Sequence, residues 1–136
     1  MPDYTLADLA KMFDHSLLQP TLTDADMEKG CAVAREYDVA SVCIKPYAVP
    51  NAAAWLKGRA PGLYTMRDVT RIKVAEAEQA MSDGAVELDM VVNIGKVLSK
   101  DWSYVTDDIA AVVNAAHRRN AKVKVIFENC FLQDEH

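Results

Sequence analysis

The chain has 136 residues, 51% of them hydrophobic, with a formal net charge of -5 and a pI near 5.1. That is enough apolar material for a single domain over residues 1–136 with a buried core. The acidic balance, without a basic block or interleaved basic and aromatic residues, argues against nucleic acid and anionic membranes as partners. No apolar run reaches the roughly 18 residues of a membrane span, and no charged leader precedes an apolar segment at the N-terminus. Cys31, Cys43 and Cys130 are widely spaced, without a Cys-x-x-Cys pair for zinc or redox work. A cytoplasmic protein with free thiols is the expectation.

Strand-like and helix-like segments alternate along the chain. A helical turn at residues 5–12 leads to a strand over 13–18, which ends before Pro20. Thr23 or Asp24 offers an N-cap to a helix running to about residue 37, with Met27, Cys31 and Ala34 at helical spacing. Residues 39–45 form the second strand, closed by Pro46, and residues 49–57 a short helix stopped by Gly58. Between 59 and 68 only a weak, shortened third strand at 63–66 is legible. Thr70 can cap a helix over 71–82, which Gly84 terminates. Residues 85–95 then read as an apolar strand carrying two carboxylates, residues 104–120 as a helix rich in Ala and Val, and residues 122–128 as the last strand. The acidic tail at 133–136 resembles the first turn of another helix. This rhythm calls for a parallel α/β sheet or barrel with right-handed crossovers.

The faces of these strands matter more than their order. Alternation puts Val86, Leu88, Met90 and Val92 on one side, and Glu87, Asp89, Val91 and Asn93 on the other. In the last strand Val123, Val125 and Phe127 oppose Lys122, Lys124, Ile126 and Glu128. In the second, Val42 and Ile44 oppose Ser41, Cys43 and Lys45; in the first, Asp14 and Ser16 share a side. Each strand thus brings an apolar face for helices and a mixed face bearing Asp, Ser, Cys, Lys or Glu. A solvated sheet face would give the same alternation, but short loops and covering helices favour a barrel lumen. Asp89 beside Lys124 reads equally as a structural ion pair or as a proton-transfer pair. Cys43 reads as pocket wall, His15 as a packing residue on the opposite face, and Lys45 as a rim lysine or a phosphate contact.

Five segments carry a family resemblance: Asp14-His15-Ser16-Leu17-Leu18, Ser41-Val42-Cys43-Ile44-Lys45-Pro46, Lys73-Val74-Ala75-Glu76-Ala77, Glu87-Leu88-Asp89-Met90-Val91-Val92-Asn93-Ile94-Gly95, and Lys122-Val123-Lys124-Val125-Ile126-Phe127-Glu128. In order and spacing the chain resembles deoxyribose-phosphate aldolase. The resemblance implies a TIM-type (β/α)8 barrel, here an incomplete one covering about the first five strands. It also implies reversible cleavage of 2-deoxyribose 5-phosphate to glyceraldehyde 3-phosphate and acetaldehyde through a lysine Schiff base. By resemblance, Asp89 matches the aspartate of the family's proton relay, and Asp14, Ser16, Cys43 and Lys124 match positions lining its pocket.

A lysine iminium is itself the electron sink for breaking the adjacent carbon–carbon bond, so neither a metal nor an organic cofactor is implied. The resemblance places the Schiff-base lysine on a sixth strand, its companion on a seventh, and the phosphate loops after the last two, all beyond the matched segments. No lysine of this sequence therefore inherits the nucleophile's role, and the 136 residues alone are expected to be inactive. The Gly-Phe-Pro type loop of the family's third strand is also missing. The alternative is a half-barrel without aldolase chemistry, which covers its open strand edges by self-association or binds a sugar phosphate.

Overall fold

The computed structural model describes residues 3–57, 61–65 and 69–135, with side chains described outside 58–68. Five parallel strands form one sheet in the order β1-β2-β3-β4-β5: β1 Asp14–Leu17, β2 Ser41–Ile44, β3 Pro61–Thr65, β4 Glu87–Val91 and β5 Lys122–Ile126. The helices are α1 Leu6–Ala10, α2 Asp24–Glu36, α3 Val49–Leu56, α4 Thr70–Ser82, α5 Ile94–Leu98 and α6 Trp102–His117. Neighbours in sequence are neighbours in the sheet, so each crossover carries a helix back along the same side.

Local chemistry sets the helix starts. Thr5 and Thr23 each accept from the backbone N–H three residues on, and Asp8 and Asp26 return the bond, two capping boxes that open α1 and α2. The carboxylates of Asp8 and Asp26 are held below their ordinary range, chiefly by the threonine hydroxyls. Asp101 caps α6 by accepting from Tyr104 N–H. At the other end of α4, Gly84 takes φ +108°, a conformation that a side chain would strain. This lets the chain turn within a few residues into β4.

The apolar strand faces meet the helices as the alternation requires. Val42 and Ile44 of β2 and Leu88 and Met90 of β4 pack with Met27 and Cys31 of α2, Ala52 and Leu56 of α3, Ala77 of α4, and Val112 and Ala116 of α6. Each Leu or Met so buried contributes about 1.5–3 kcal/mol. The curvature follows from one contact. In a flat sheet β1 and β5 would lie roughly 19 Å apart, at about 4.8 Å per strand, yet Lys124 of β5 forms an ion pair with Asp14 of β1. The sheet is therefore rolled into a trough whose opposite walls touch through their side chains, the curvature of a barrel of about eight strands.

Several expectations are corrected. The third strand begins at Pro61, ahead of the expected residue 63, and pairs with both neighbours, whose ladders override its weak local propensity. The position of Gly58 and the loop at 66–68 lie outside the described residues. Thr70 does not cap α4; Val69 is the N-cap, and the Thr70 hydroxyl is turned to Asp108. The run 85–95 is not one strand, because Asn93 leaves the sheet to cap α5 by accepting from Lys96 N–H. Phe127 is 58% exposed and does not join the outer core, since β5 ends at Ile126.

Candidate active site

The inner wall of the trough carries a connected row of polar side chains. Asp14 opens β1, and its carboxylate Oδ1 accepts from the Ser41 hydroxyl while Oδ2 accepts from Lys124. The same Lys124 ammonium lies 3.1 Å from Asp89 Oδ2. Asp89 in turn is hydrogen-bonded to the Cys43 thiol. The order of contacts is Ser41, Asp14, Lys124, Asp89, Cys43, so two carboxylates flank one ammonium and each takes its second donor from β2.

The sheet register explains this convergence. Asp14 pairs with Ser41, Ser16 with Cys43, and Asp89 with Lys124. Residues two apart share a face, so Ser41 and Cys43 both point into the trough. Asp89 is 2% exposed while Lys124 is 43% exposed at the side chain. The row thus runs from a desolvated end to an open one.

These surroundings move the proton affinities. Burial raises the Asp89 carboxyl above its ordinary value, aided by the nearby Asp14 charge and opposed by the bonds from Cys43 and Lys124. Burial likewise pushes the Cys43 thiol up, and the charge of Asp89 adds to it, so Cys43 is a neutral thiol rather than a nucleophile. For Lys124, burial works against the charged form, but hydrogen bonds to Asp14 and Asp89 outweigh it and the ammonium is held. Single carboxylate oxygens of Asp14, Glu87 and Asp89 also lie within 4.8 Å of one another. Among the described residues, Lys124 bridges two of these carboxylates, and Lys122 stands across the ladder from Glu87. Such a cluster could ligate a cation, but Lys124 already lies between two of its members, and no metal is assigned.

The positions expected to form a site divide as follows. Asp14, Cys43, Asp89 and Lys124 come together. Ser16 faces the same side but is exposed and joins none of these contacts. Lys45 is tied to the β1–α2 connection, its ammonium donating to the carbonyls of Leu22 at 3.2 Å and Pro20 at 3.4 Å. Glu128 stands past the end of β5 in a left-handed turn, away from the row. Ser41 was missing from the candidates; its alternation with Cys43 signals its face, but only the register reveals Asp14 as its partner.

A second polar cluster lies behind β4. Lys73 is fully buried and donates to Asp108 Oδ2 at 2.6 Å and to the Val91 carbonyl at 2.8 Å, while Thr70 donates to Asp108 Oδ1 at 2.7 Å. This ties α4, α6 and the end of β4 together. A cavity of about 460 Å³ sits elsewhere, past the ends of β4 and β5, lined by Val92, Val97, Trp102, Ile109, Phe127 and Leu132 among others. Its apolar lining shares no residue with the polar row. Among the described residues no helix is long and apolar enough to cross a membrane.

The family model described as DeoC/LacD family aldolase matches residues 8–136. A deoxyribose-phosphate aldolase of Rhodopirellula baltica is 51% identical over 142 residues, covering 100% of this chain and 59% of the relative. One from Thermococcus kodakarensis is 42% identical, covering 94% of this chain and 61% of the relative. Among solved structures, the tetrameric deoxyribose phosphate aldolase of Aeropyrum pernix superposes with a TM-score of 0.84 at 26% identity, over 96% of this chain and 57% of that one. The chain thus spans about three fifths of the length of the curated relatives it matches.

Proposed function

The chain belongs to the DeoC/LacD aldolase family, and from that premise we propose that its inner polar row serves reversible aldol cleavage of 2-deoxyribose 5-phosphate to glyceraldehyde 3-phosphate and acetaldehyde. The observation that carries the reading is the Lys124 ammonium held between Asp14 and the buried Asp89. Cleavage through a lysine Schiff base needs a protonated iminium as electron sink, then proton transfers as the carbinolamine and enamine form and decay. Asp89, with its carboxyl raised by burial and an ammonium at hydrogen-bond distance, is suited to take up and return those protons. The carboxylates of Asp14, Glu87 and Asp89, gathered within 4.8 Å of one another, favour a cationic iminium in the trough over a neutral imine.

The division of roles is then as follows. Asp89 is the proton carrier, Lys124 its charged partner, Asp14 the counter-ion that holds Lys124, and Cys43 a neutral wall donating to Asp89. Ser16 lines the open side. None of the lysines here matches the family's Schiff-base position, so the nucleophile is assigned to the part of the relatives' length that this chain does not span. The partners are a small sugar phosphate and acetaldehyde, with no cofactor.

The test is treatment with acetaldehyde and borohydride, followed by intact and peptide mass, on the 15.0-kDa chain and on a chimaera in which it replaces the matching segment of a full-length relative. A reduced two-carbon adduct is expected on the chimaera only, at a lysine outside these residues. A chimaera that folds but neither traps acetaldehyde nor cleaves the sugar phosphate would overturn the reading.

A second reading is favoured by one observation. The outer strands β1 and β5 are flanked by exposed apolar residues, Met12 at 66% and Phe13 at 63% on one side, Phe127 at 58% and Phe131 at 52% on the other. A homo-oligomer that covers these edges would bury them. Light scattering of the 136-residue chain, read beside the chimaera, distinguishes the two: a stable multimer together with a folded chimaera that traps no aldehyde supports this reading, and a monomer removes it.

A further inference from the structure

Ser41 is the one member of the inner row to which no role has been given. It is 7% exposed and stands directly across the ladder from Asp14. A serine in such a place commonly spends its hydroxyl on nearby backbone or on water. Here the hydroxyl donates to a side chain of the neighbouring strand, and it takes the carboxylate oxygen that Lys124 does not.

The geometry of Asp14 makes that bond consequential. Asp14 is the first residue of β1, its side chain is 30% exposed, and the carboxylate torsion of an aspartate is broad and two-fold. One donor alone would let the group swivel toward the open mouth of the trough. Two donors on opposite oxygens fix its plane and direct Oδ2 inward. Lys124 has a long, flexible stem and 43% side-chain exposure, so where its ammonium rests depends on how its two carboxylates are held. Cys43, two residues along β2, supplies the matching second donor to Asp89.

We propose that Ser41 is a positioning residue, whose hydroxyl orients Asp14 so that the Lys124 ammonium stays between Asp14 and Asp89 instead of swinging out of the trough. Its catalytic meaning rests on the aldolase reading above, but the coupling itself can be measured without turnover. Among the described residues, the groups facing Lys124 are Asp14 from β1, Cys43 from β2, and Asp89 and Glu87 from β4, and Asp14 is the one of these that Ser41 touches.

The experiment is competitive acylation of the lysines of the 136-residue chain with a trace of acetic anhydride at fixed pH. Peptide mass gives the labelling of Lys124 relative to the exposed Lys100. Loss of one hydrogen bond predicts about a three- to tenfold rise in Lys124 labelling for Ser41→Ala. Ser41→Thr, which keeps the hydroxyl, stays within about twofold of the unaltered chain, well inside the worth of one hydrogen bond. In an Asp14→Asn background, Ser41→Ala adds nothing further. Unchanged Lys124 labelling in folded Ser41→Ala would reduce the serine to a packing residue. An equal rise in both backgrounds would show that it does not act through Asp14; either result overturns the proposal. Should Ser41→Ala fail to fold by circular dichroism, Ser41→Cys, similar in size but a weak donor, carries the same expectation. Failure of the aldehyde trap with the Lys124 coupling intact would discard the aldolase reading and leave the positioning role; the converse would discard Ser41 alone.

Discussion

Two lysine–aspartate clusters lie on opposite sides of β4, and they differ in closure. Behind the strand, Lys73 and Asp108 are 0% and 1% exposed at their side chains, and the Asp108 oxygens and the Lys73 ammonium find their partners inside the protein. In front of it, Lys124 is 43% exposed and bridges Asp14 and Asp89 at the mouth of the trough. The same two residue types thus form a sealed, satisfied clamp in one place and an open, partly solvated row in the other. A closed pair has nothing left to offer a substrate, whereas an open row beside solvent can exchange protons.

The comparison breaks most visibly in stability. Lys73→Met leaves the buried Asp108 charge with only the Thr70 hydroxyl and strips the Val91 carbonyl of its ammonium, and is expected to cost about 3–5 kcal/mol. Urea unfolding measures this, and a paired Lys73→Met, Asp108→Leu replacement should recover most of the loss. If Lys73→Met alone is neutral, the sealed clamp is not what holds α4 and α6 to β4.

The row in front of β4 should respond to pH with a definite sign. Because burial raises the Asp89 carboxyl in the folded chain, the folded state binds its proton more tightly than the unfolded state does. The stability this group contributes is full below the ordinary carboxylate value and declines as pH rises through the raised one. Asp89→Asn removes that decline. The variant should match the unaltered chain in acid and exceed it in stability at neutral pH, and a variant less stable at neutral pH would contradict the assignment.

Salt gives the smallest effect. A double-mutant cycle between Lys124 and Asp14 should return about 0.2–1 kcal/mol, fading as salt is added, because both groups are partly solvated. The corresponding cycle for Lys73 and Asp108 should hardly respond.

How much of this could be read beforehand follows the same contrast. The front row was legible because strand alternation has a strict period of two: Ser41 with Cys43 and Glu87 with Asp89 must share faces wherever the strands lie. Its partnerships were not, since Ser41 meets Asp14 only through the inter-strand register. The rear clamp was hidden for a different reason. Lys73 is the single lysine of α4, and nothing in the helix itself supplies its buried partner, while Thr70 reads as a cap until Asp108, 38 residues away, claims its hydroxyl. The short helix α5 was concealed by the apolar run of β4, because Asn93 turns the chain out of the sheet without a glycine or proline to mark the exit. The start of the third strand was misplaced because Pro61 and Gly62 are poor strand formers that two flanking ladders nevertheless hold.

The central claim is that the front row carries chemistry and the rear clamp only structure. Its most direct test is the rate of 2-deoxyribose 5-phosphate cleavage by the chimaera carrying Asp89→Asn, compared with the chimaera carrying the native Asp89 at equal folded concentration. Loss of a proton-transfer group predicts a fall in kcat of about 10²–10⁴-fold without a fall in melting temperature. An Asp89→Asn chimaera that cleaves the sugar phosphate at the unaltered rate would contradict the account.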